Sequence, residues 1–155
     1  MKANFDLASE EETKHLAEAL ASCLTVPLIL SFQGALGAGK TTLIRAMLRA
    51  LGIAGTIKSP TFSWVESYPF SDYVIHHFDL YRLSSDTALE TFGFRDYFSS
   101  DAICCIEWAS RAPGLKPYVD VVFSLEVCGA GRILSVTALR APGKTLLDSL
   151  RRTLK

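Results

Sequence analysis

The chain has 155 residues, 49% hydrophobic and 21% charged, a balance that suits one soluble globular domain over residues 1–155. Lys+Arg and Asp+Glu number 16 each, so the net charge is zero, which excludes the strong positive field needed to grip long stretches of nucleic acid. No apolar run reaches membrane-spanning length, and the first residues lack the basic-then-apolar layout of a signal peptide, so the cytoplasm is the expected compartment.

In chain order, residues 9–23 read as an amphipathic helix. Ser9 is placed to cap it, Glu10, Glu11 and Glu12 fill the first turn, and Leu16, Ala17, Leu20 and Ala21 form one apolar face. Residues 26–32 are apolar and partly β-branched, which predicts a strand, and residues 42–51 carry helical spacing that Gly52 ends. A short strand is expected over 56–58, and Pro60 keeps a central strand out of Ser59-Pro60-Thr61. Residues 62–68 and 73–78 predict an antiparallel hairpin turning at Pro69-Phe70-Ser71-Asp72. A short helix follows from Ser84 or Ser85 to Thr91, Gly93 breaks it, and 94–98 make a further helical turn. The continuous apolar run 102–106 predicts a buried strand ending in Glu107-Trp108. Pro113-Gly114 and Pro117 predict a loop, 119–127 and 132–138 two strands about Gly129-Ala130-Gly131, and 146–154 a closing helix. Together these give an α/β fold, a mixed central sheet flanked by helices. Cys23, Cys104, Cys105 and Cys128 form no C-x-x-C pair and read as buried small hydrophobes.

Between the strand at 26–32 and its helix, Gly34 and Gly39-Lys40-Thr41 satisfy the phosphate-binding pattern G-x-x-x-x-G-K-[ST] in its required strand–turn–helix setting. Such a loop works because successive backbone N–H groups at a helix N-terminus face an anion, and glycines let the phosphates approach the backbone. Lys40 is expected at the β- and γ-phosphates, the Thr41 hydroxyl on Mg²⁺, and Thr42 on the α-phosphate side. Leu36, Gly37 and Ala38 complete the loop.

A Mg-nucleotide site also needs carboxylates. Asp79 and Glu107 each end a strand, at the edge where α/β sheets bind ligands. Glu107 is expected in the metal shell, directly or through water, and Asp79 in the metal shell or positioning the attacking water. A solvated strand end is the plain alternative for either. Thr61 follows the P-loop in a place where switch loops sense a γ-phosphate, and a simple turn accounts for it equally well. His76 and His77 face opposite sides of a strand and cannot share a metal, so structural roles are expected for both. Trp108 reads as a core or interface residue. Tyr81-Arg82 faces a partner, or Arg82 pairs with an acid.

Leu36-Gly37-Ala38-Gly39-Lys40-Thr41-Thr42, Ser59-Pro60-Thr61-Phe62, His77-Phe78-Asp79-Leu80-Tyr81-Arg82-Leu83 and Ile106-Glu107-Trp108 occur in this order. In this combination the chain closely resembles the TsaE (YjeE) family, nearly end to end. The resemblance implies a P-loop ATPase domain that binds ATP and Mg²⁺ and serves the synthesis of threonylcarbamoyladenosine in tRNA. It implies action with TsaD and TsaB, which transfer the threonylcarbamoyl group, with hydrolysis resetting the complex and tRNA met only through it. It carries Mg²⁺ ligation onto Thr41 and Glu107, hydrolysis onto Asp79, and nucleotide-base contacts onto Thr13 and Arg132; Lys40 and Thr61 join the expected catalytic set from the P-loop and switch-loop readings above. The family usually reads E-W-P where this chain has Glu107-Trp108-Ala109. The rival readings are a small P-loop kinase and a non-hydrolysing, ATP-dependent docking module. A GTPase is disfavoured because no N-K-x-D motif occurs.

Overall fold

A computed structural model of the chain describes residues 1–58, 60, 64–84, 88, 90, 91 and 93–155. The strands are β1 (Lys2–Leu7), β2 (Leu28–Gln33), β3 (Val65–Pro69), β4 (Val74–Asp79), β5 (Ala102–Glu107), β6 (Val121–Cys128) and β7 (Gly131–Ala138). The helices are α1 (Glu10–Cys23), α2 (Lys40–Ala50) and α3 (Ala141–Thr153). One seven-stranded sheet runs in the order β1-β7-β6-β2-β5-β4-β3. β6, β2, β5 and β4 are mutually parallel, and the antiparallel pairs β7–β6, β1–β7 and β3–β4 finish the two edges.

Every residue of β5 is buried, because this central strand is covered on both faces. On one face Leu16 and Leu20 of α1, Leu43, Ile44, Met47 and Leu48 of α2, and Leu146, Leu147 and Leu150 of α3 pack against Leu30, Phe32, Cys105 and Phe123. The Phe32 and Phe123 rings stack there at 5.0 Å. On the other face Phe78, Cys104 and Ile106 are covered by Phe94, Ala112 and Leu115, from 3-10 turns rather than long helices. The chain passes from β2 to β4, returns to β5 between them, and crosses to β6 on the far side of β2. Such a reversal opens a crevice at the C-terminal strand ends. Phe32 and Asp79 are both in register with Glu107, so β2, β5 and β4 end level beneath it.

Several local expectations are corrected. Residues 56–58 are not a strand, since the sheet already ends at β3 and only Ile57 of the three is buried. β1 was not foreseen. The segment Pro113–Tyr118 is a 3-10 helix rather than an open loop, with Leu115 buried beneath it. α3 starts at Ala141, ahead of the expected 146, because Pro142 is tolerated in a first helical turn and Gly143 packs against the Asp120 carbonyl, where a Cβ would lie 2.0 Å from the oxygen. Cys104 and Cys105 are buried as expected, but Cys128 is exposed at the end of β6 and Cys23 is only partly covered. The strand expected over 62–68 begins at Val65, with 62 and 63 outside the described residues, as are 85–87 and 89 of the expected helix.

Candidate functional site

Gly34 leaves β2 at φ +145°, where a Cβ would meet the Leu125 carbonyl oxygen at 2.6 Å, so only glycine allows the turn to pass this close to β6. Gly39, at φ +107°, is the N-cap of α2, and the helix opens with Lys40 and Thr41. Leu36, Gly37, Ala38, Gly39, Lys40, Thr41 and Thr42 line a cavity of about 570 Å³. Its other walls include Ser9 and Thr13 from the start of α1, Asp79, Tyr81 and Arg82 after β4, Glu107 and Trp108 after β5, and Arg132 from β7. Gly34 is not part of this lining, and its carbonyl accepts from Lys40. Thr61 falls outside the described residues.

Lys40 is buried, and its Nζ donates to the carbonyls of Gly34 at 2.6 Å and Ala35 at 3.0 Å. It also lies 4.3 Å from the centroid of the Trp108 ring. Burial pulls its pKa below the usual lysine value, against the opposing pull of the Glu107 and Asp79 charges. Thr41 Oγ1 donates to both oxygens of Glu107, at 2.8 and 2.9 Å. His77 Nε2 meets the same carboxylate from β4, 2.6 Å from Oε2. Asp79 ends β4 half-buried, with Oδ1 accepting from the Tyr81 N–H at 3.1 Å. Burial raises its pKa and the Glu107 charge adds to the rise, while the Tyr81 N–H, His77 and Lys40 oppose it.

Both expected strand-end acids and Lys40 therefore meet in one crevice. Thr13 lines the cavity on the α1 side, its hydroxyl turned to the Ser9 carbonyl at 3.4 Å. Ser9 caps α1 as expected, accepting from the Glu12 N–H at 3.3 Å. Arg132 also lines the cavity, but its Nε donates to the Ala38 carbonyl at 2.9 Å and its Nη2 to that of Gly37 at 3.4 Å, so much of the guanidinium braces the P-loop backbone. Trp108, held at φ +62°, packs partly buried against the core on the Phe78 face of the sheet and also walls the site. The Tyr81 ring leans on it at 4.9 Å, and the Arg111 guanidinium lies 5.2 Å from Tyr81. The contact of His77 with Glu107 was not foreseen. Its signal was a histidine two residues before Asp79, on the same strand face.

Among the described residues no three His, Cys, Asp or Glu side chains cluster as a self-sufficient metal site. The Thr41 hydroxyl, Glu107 and Asp79 are nevertheless hard oxygen donors, the set Mg²⁺ prefers when a ligand's phosphates supply further oxygens. Donating its hydrogen to Glu107 leaves the Thr41 oxygen lone pairs available, so these residues fit a divalent cation.

A family model described as threonylcarbamoyl adenosine biosynthesis protein TsaE matches residues 7–132. The chain belongs to the TsaE family. Among curated TsaE proteins, that of Haemophilus influenzae is 40% identical over 137 residues, covering 88% of this chain and 87% of the relative. The Rickettsia felis protein is 35% identical over 148 residues, covering 94% and 85%. Both are named tRNA threonylcarbamoyladenosine biosynthesis protein TsaE. The crystal structure of Bacillus subtilis YdiB superimposes with a TM-score of 0.80 over 100% of this chain and 97% of its own; at 24% identity this likeness establishes the fold. The P-loop, Asp79 and Glu107 all lie within the stretch matched by the TsaE model, and α3 lies beyond it. Among the described residues no helix is long and apolar enough to cross a membrane.

Proposed function

We propose that this chain is a Mg²⁺-dependent ATPase, a single cytoplasmic P-loop domain that serves tRNA threonylcarbamoyladenosine synthesis beside TsaD and TsaB. Its hydrolysis resets their complex between turnovers, and tRNA is reached through that complex. The observation that carries the reading is the fork from Thr41 Oγ1 to both oxygens of Glu107, one residue past the P-loop lysine. A phosphate-binding loop alone binds an anion. A P-loop threonine oriented by a buried carboxylate has the parts to hold a cation against that anion.

Each residue then has a task. The N-terminal amides of α2 and its approach loop receive the phosphates. Lys40 exchanges the Gly34 and Ala35 carbonyls for the β- and γ-phosphate oxygens, where its charge offsets what develops as the terminal P–O bond breaks. Thr41 and Glu107 would hold Mg²⁺, which when bound neutralises phosphate charge. Asp79, whose pKa burial raises, is assigned to accept a proton from the attacking water. Thr61 is assigned to sensing the γ-phosphate, and Thr13 to the nucleotide base. ADP and phosphate leave, and the loop and strand ends relax, which is the event that partners read.

The test is phosphate release from ATP by the unaltered chain and by Glu107→Ala, with and without a purified TsaB–TsaD pair, across a Mg²⁺ titration. Stimulated, Mg²⁺-dependent release that collapses in the variant is the expected result. ATP binding without turnover in the presence of partners indicates a docking module, and a phosphorylated acceptor in place of free phosphate indicates a kinase.

A further inference from the structure

His77 is fully buried, and so, at 2% exposure, is Glu107. The parallel register pairs Asp79 with Glu107 and His77 with Cys105, which puts all four on the same face of the sheet. From one rung below, the His77 ring reaches diagonally and sets Nε2 2.6 Å from Glu107 Oε2. With the carboxylate oxygen as acceptor, this contact assigns the ring hydrogen to Nε2, the tautomer that long-range proton–nitrogen spectra read directly. Among the described residues Nδ1 has no partner, so the polar end of this ring is committed to Glu107 alone. An apolar side chain would fill this core position without any desolvation cost, so the imidazole is to be explained by what it holds.

It holds a carboxylate that is gripped from two directions. Thr41 donates from α2 and His77 from β4, so the carboxylate cannot turn without giving up one of them. With Nε2 anchored to Oε2, Glu107 is kept from swinging onto the Lys40 ammonium, whose charge is close enough to be coupled to it. We propose that His77 is a positioning residue for the divalent cation, fixing the orientation of Glu107 through Nε2–H while touching neither metal nor nucleotide. This rests on the ATPase reading and deepens it. Partners behind a metal's direct ligands act in this way, by fixing a ligand's orientation.

The test compares His77→Gln and His77→Asn. Both bury an amide, but only glutamine is long enough to place its N–H near the position of Nε2. Mn²⁺ affinity in the presence of ADP is read by electron paramagnetic resonance, and ADP affinity in EDTA by calorimetry. His77→Asn is expected to weaken Mn²⁺ about 10- to 100-fold and His77→Gln by no more than about threefold, with ADP binding in EDTA the same in both. Equal Mn²⁺ affinity in the two variants, or an equal loss, overturns the role of His77. If a variant does not fold, long-range proton–nitrogen spectra of the unaltered chain decide: hydrogen on Nδ1 with Nε2 bare overturns the proposal, and a protected Nε2–H supports it. Failure of the unaltered chain to bind either ADP or Mn²⁺ overturns the ATPase reading and this role with it, an outcome distinct from variants that merely behave alike.

Discussion

Lys40 Nζ lies 2.6 Å from the carbonyl oxygen of Gly34, within the loop that the lysine itself closes. The ammonium is thus held by groups it must release when phosphate arrives. Ala35, the second acceptor, is exposed, so water can replace the lysine there. Lys40→Met keeps most of the apolar stem and removes the charge. We expect ATP affinity to fall at least about tenfold and hydrolysis to vanish, while stability changes by less than about 1 kcal/mol, because lost hydrogen bonds are offset by relief of a buried charge. Thermal melts beside ATP titrations check this. A large loss of stability with binding intact would make Lys40 a clip for the loop rather than a ligand group.

Asp79 predicts a pH effect on stability. Its pKa is raised in the folded chain, first by burial and then by the charge of Glu107. The folded state therefore keeps this proton to higher pH than the unfolded state does. The resulting stabilisation is full below the ordinary aspartate range and is lost as pH rises through the raised value. Asp79→Asn removes that loss and keeps an oxygen to accept from the Tyr81 N–H. The variant is expected to melt above the unaltered chain at pH 7 to 8, with the gap closing as pH falls into the carboxylate range, and to be inactive as an ATPase. An unchanged gap across the acid range would mean that ionisation of Asp79 is not its source.

What the sequence made legible follows the range of the interactions. The P-loop, the cap of α1 and the strand-end acids are short-range patterns, and they stand where expected. β1 was legible but missed: Lys2, Asn4 and Asp6 alternate with Ala3, Phe5 and Leu7, the period-2 pattern of a half-buried strand, and only its place beside β7, with Leu7 opposite Arg132, needed the three-dimensional fold. His77 passed as structural because its contact with Glu107 depends on how β4 and β5 align, which no local pattern encodes. Arg132 could be carried over from a resemblance, but its hold on the Gly37 and Ala38 carbonyls needed the three-dimensional path of β7.

Two glycines of the P-loop should differ in stability cost. At Gly34 a Cβ would sit 2.6 Å from the Leu125 carbonyl oxygen, at φ +145°, and backbone cannot easily give way. At Gly37, φ +79°, nothing lies within 4 Å. Gly34→Ala is expected to cost about 3 kcal/mol or more through clash plus backbone strain, and Gly37→Ala about 1 kcal/mol through strain alone. Urea unfolding of the two variants measures the difference. Equal costs would show that the approach of the turn to β6 is not what requires glycine.

Arg132 separates two readings of one residue. The resemblance makes it a base contact, whereas the geometry spends Nε on Ala38 at 2.9 Å, Nη2 on Gly37 at 3.4 Å and Nη1 on its own neighbour Gly131 at 2.9 Å. A carbonyl tied to a guanidinium keeps its peptide plane fixed, which helps hold the loop in its phosphate-receiving shape. A brace acts on the phosphates whatever base follows them. Arg132→Ala should then weaken ATP and inorganic triphosphate alike, by about tenfold each, in line with the loss of one charge-assisted hydrogen bond. A base contact would instead weaken ATP and leave triphosphate unchanged. Calorimetric titration with the two ligands distinguishes them, and Arg132→Lys, which cannot span both carbonyls as a planar fork does, should fall between the unaltered chain and the alanine variant if the brace is what matters.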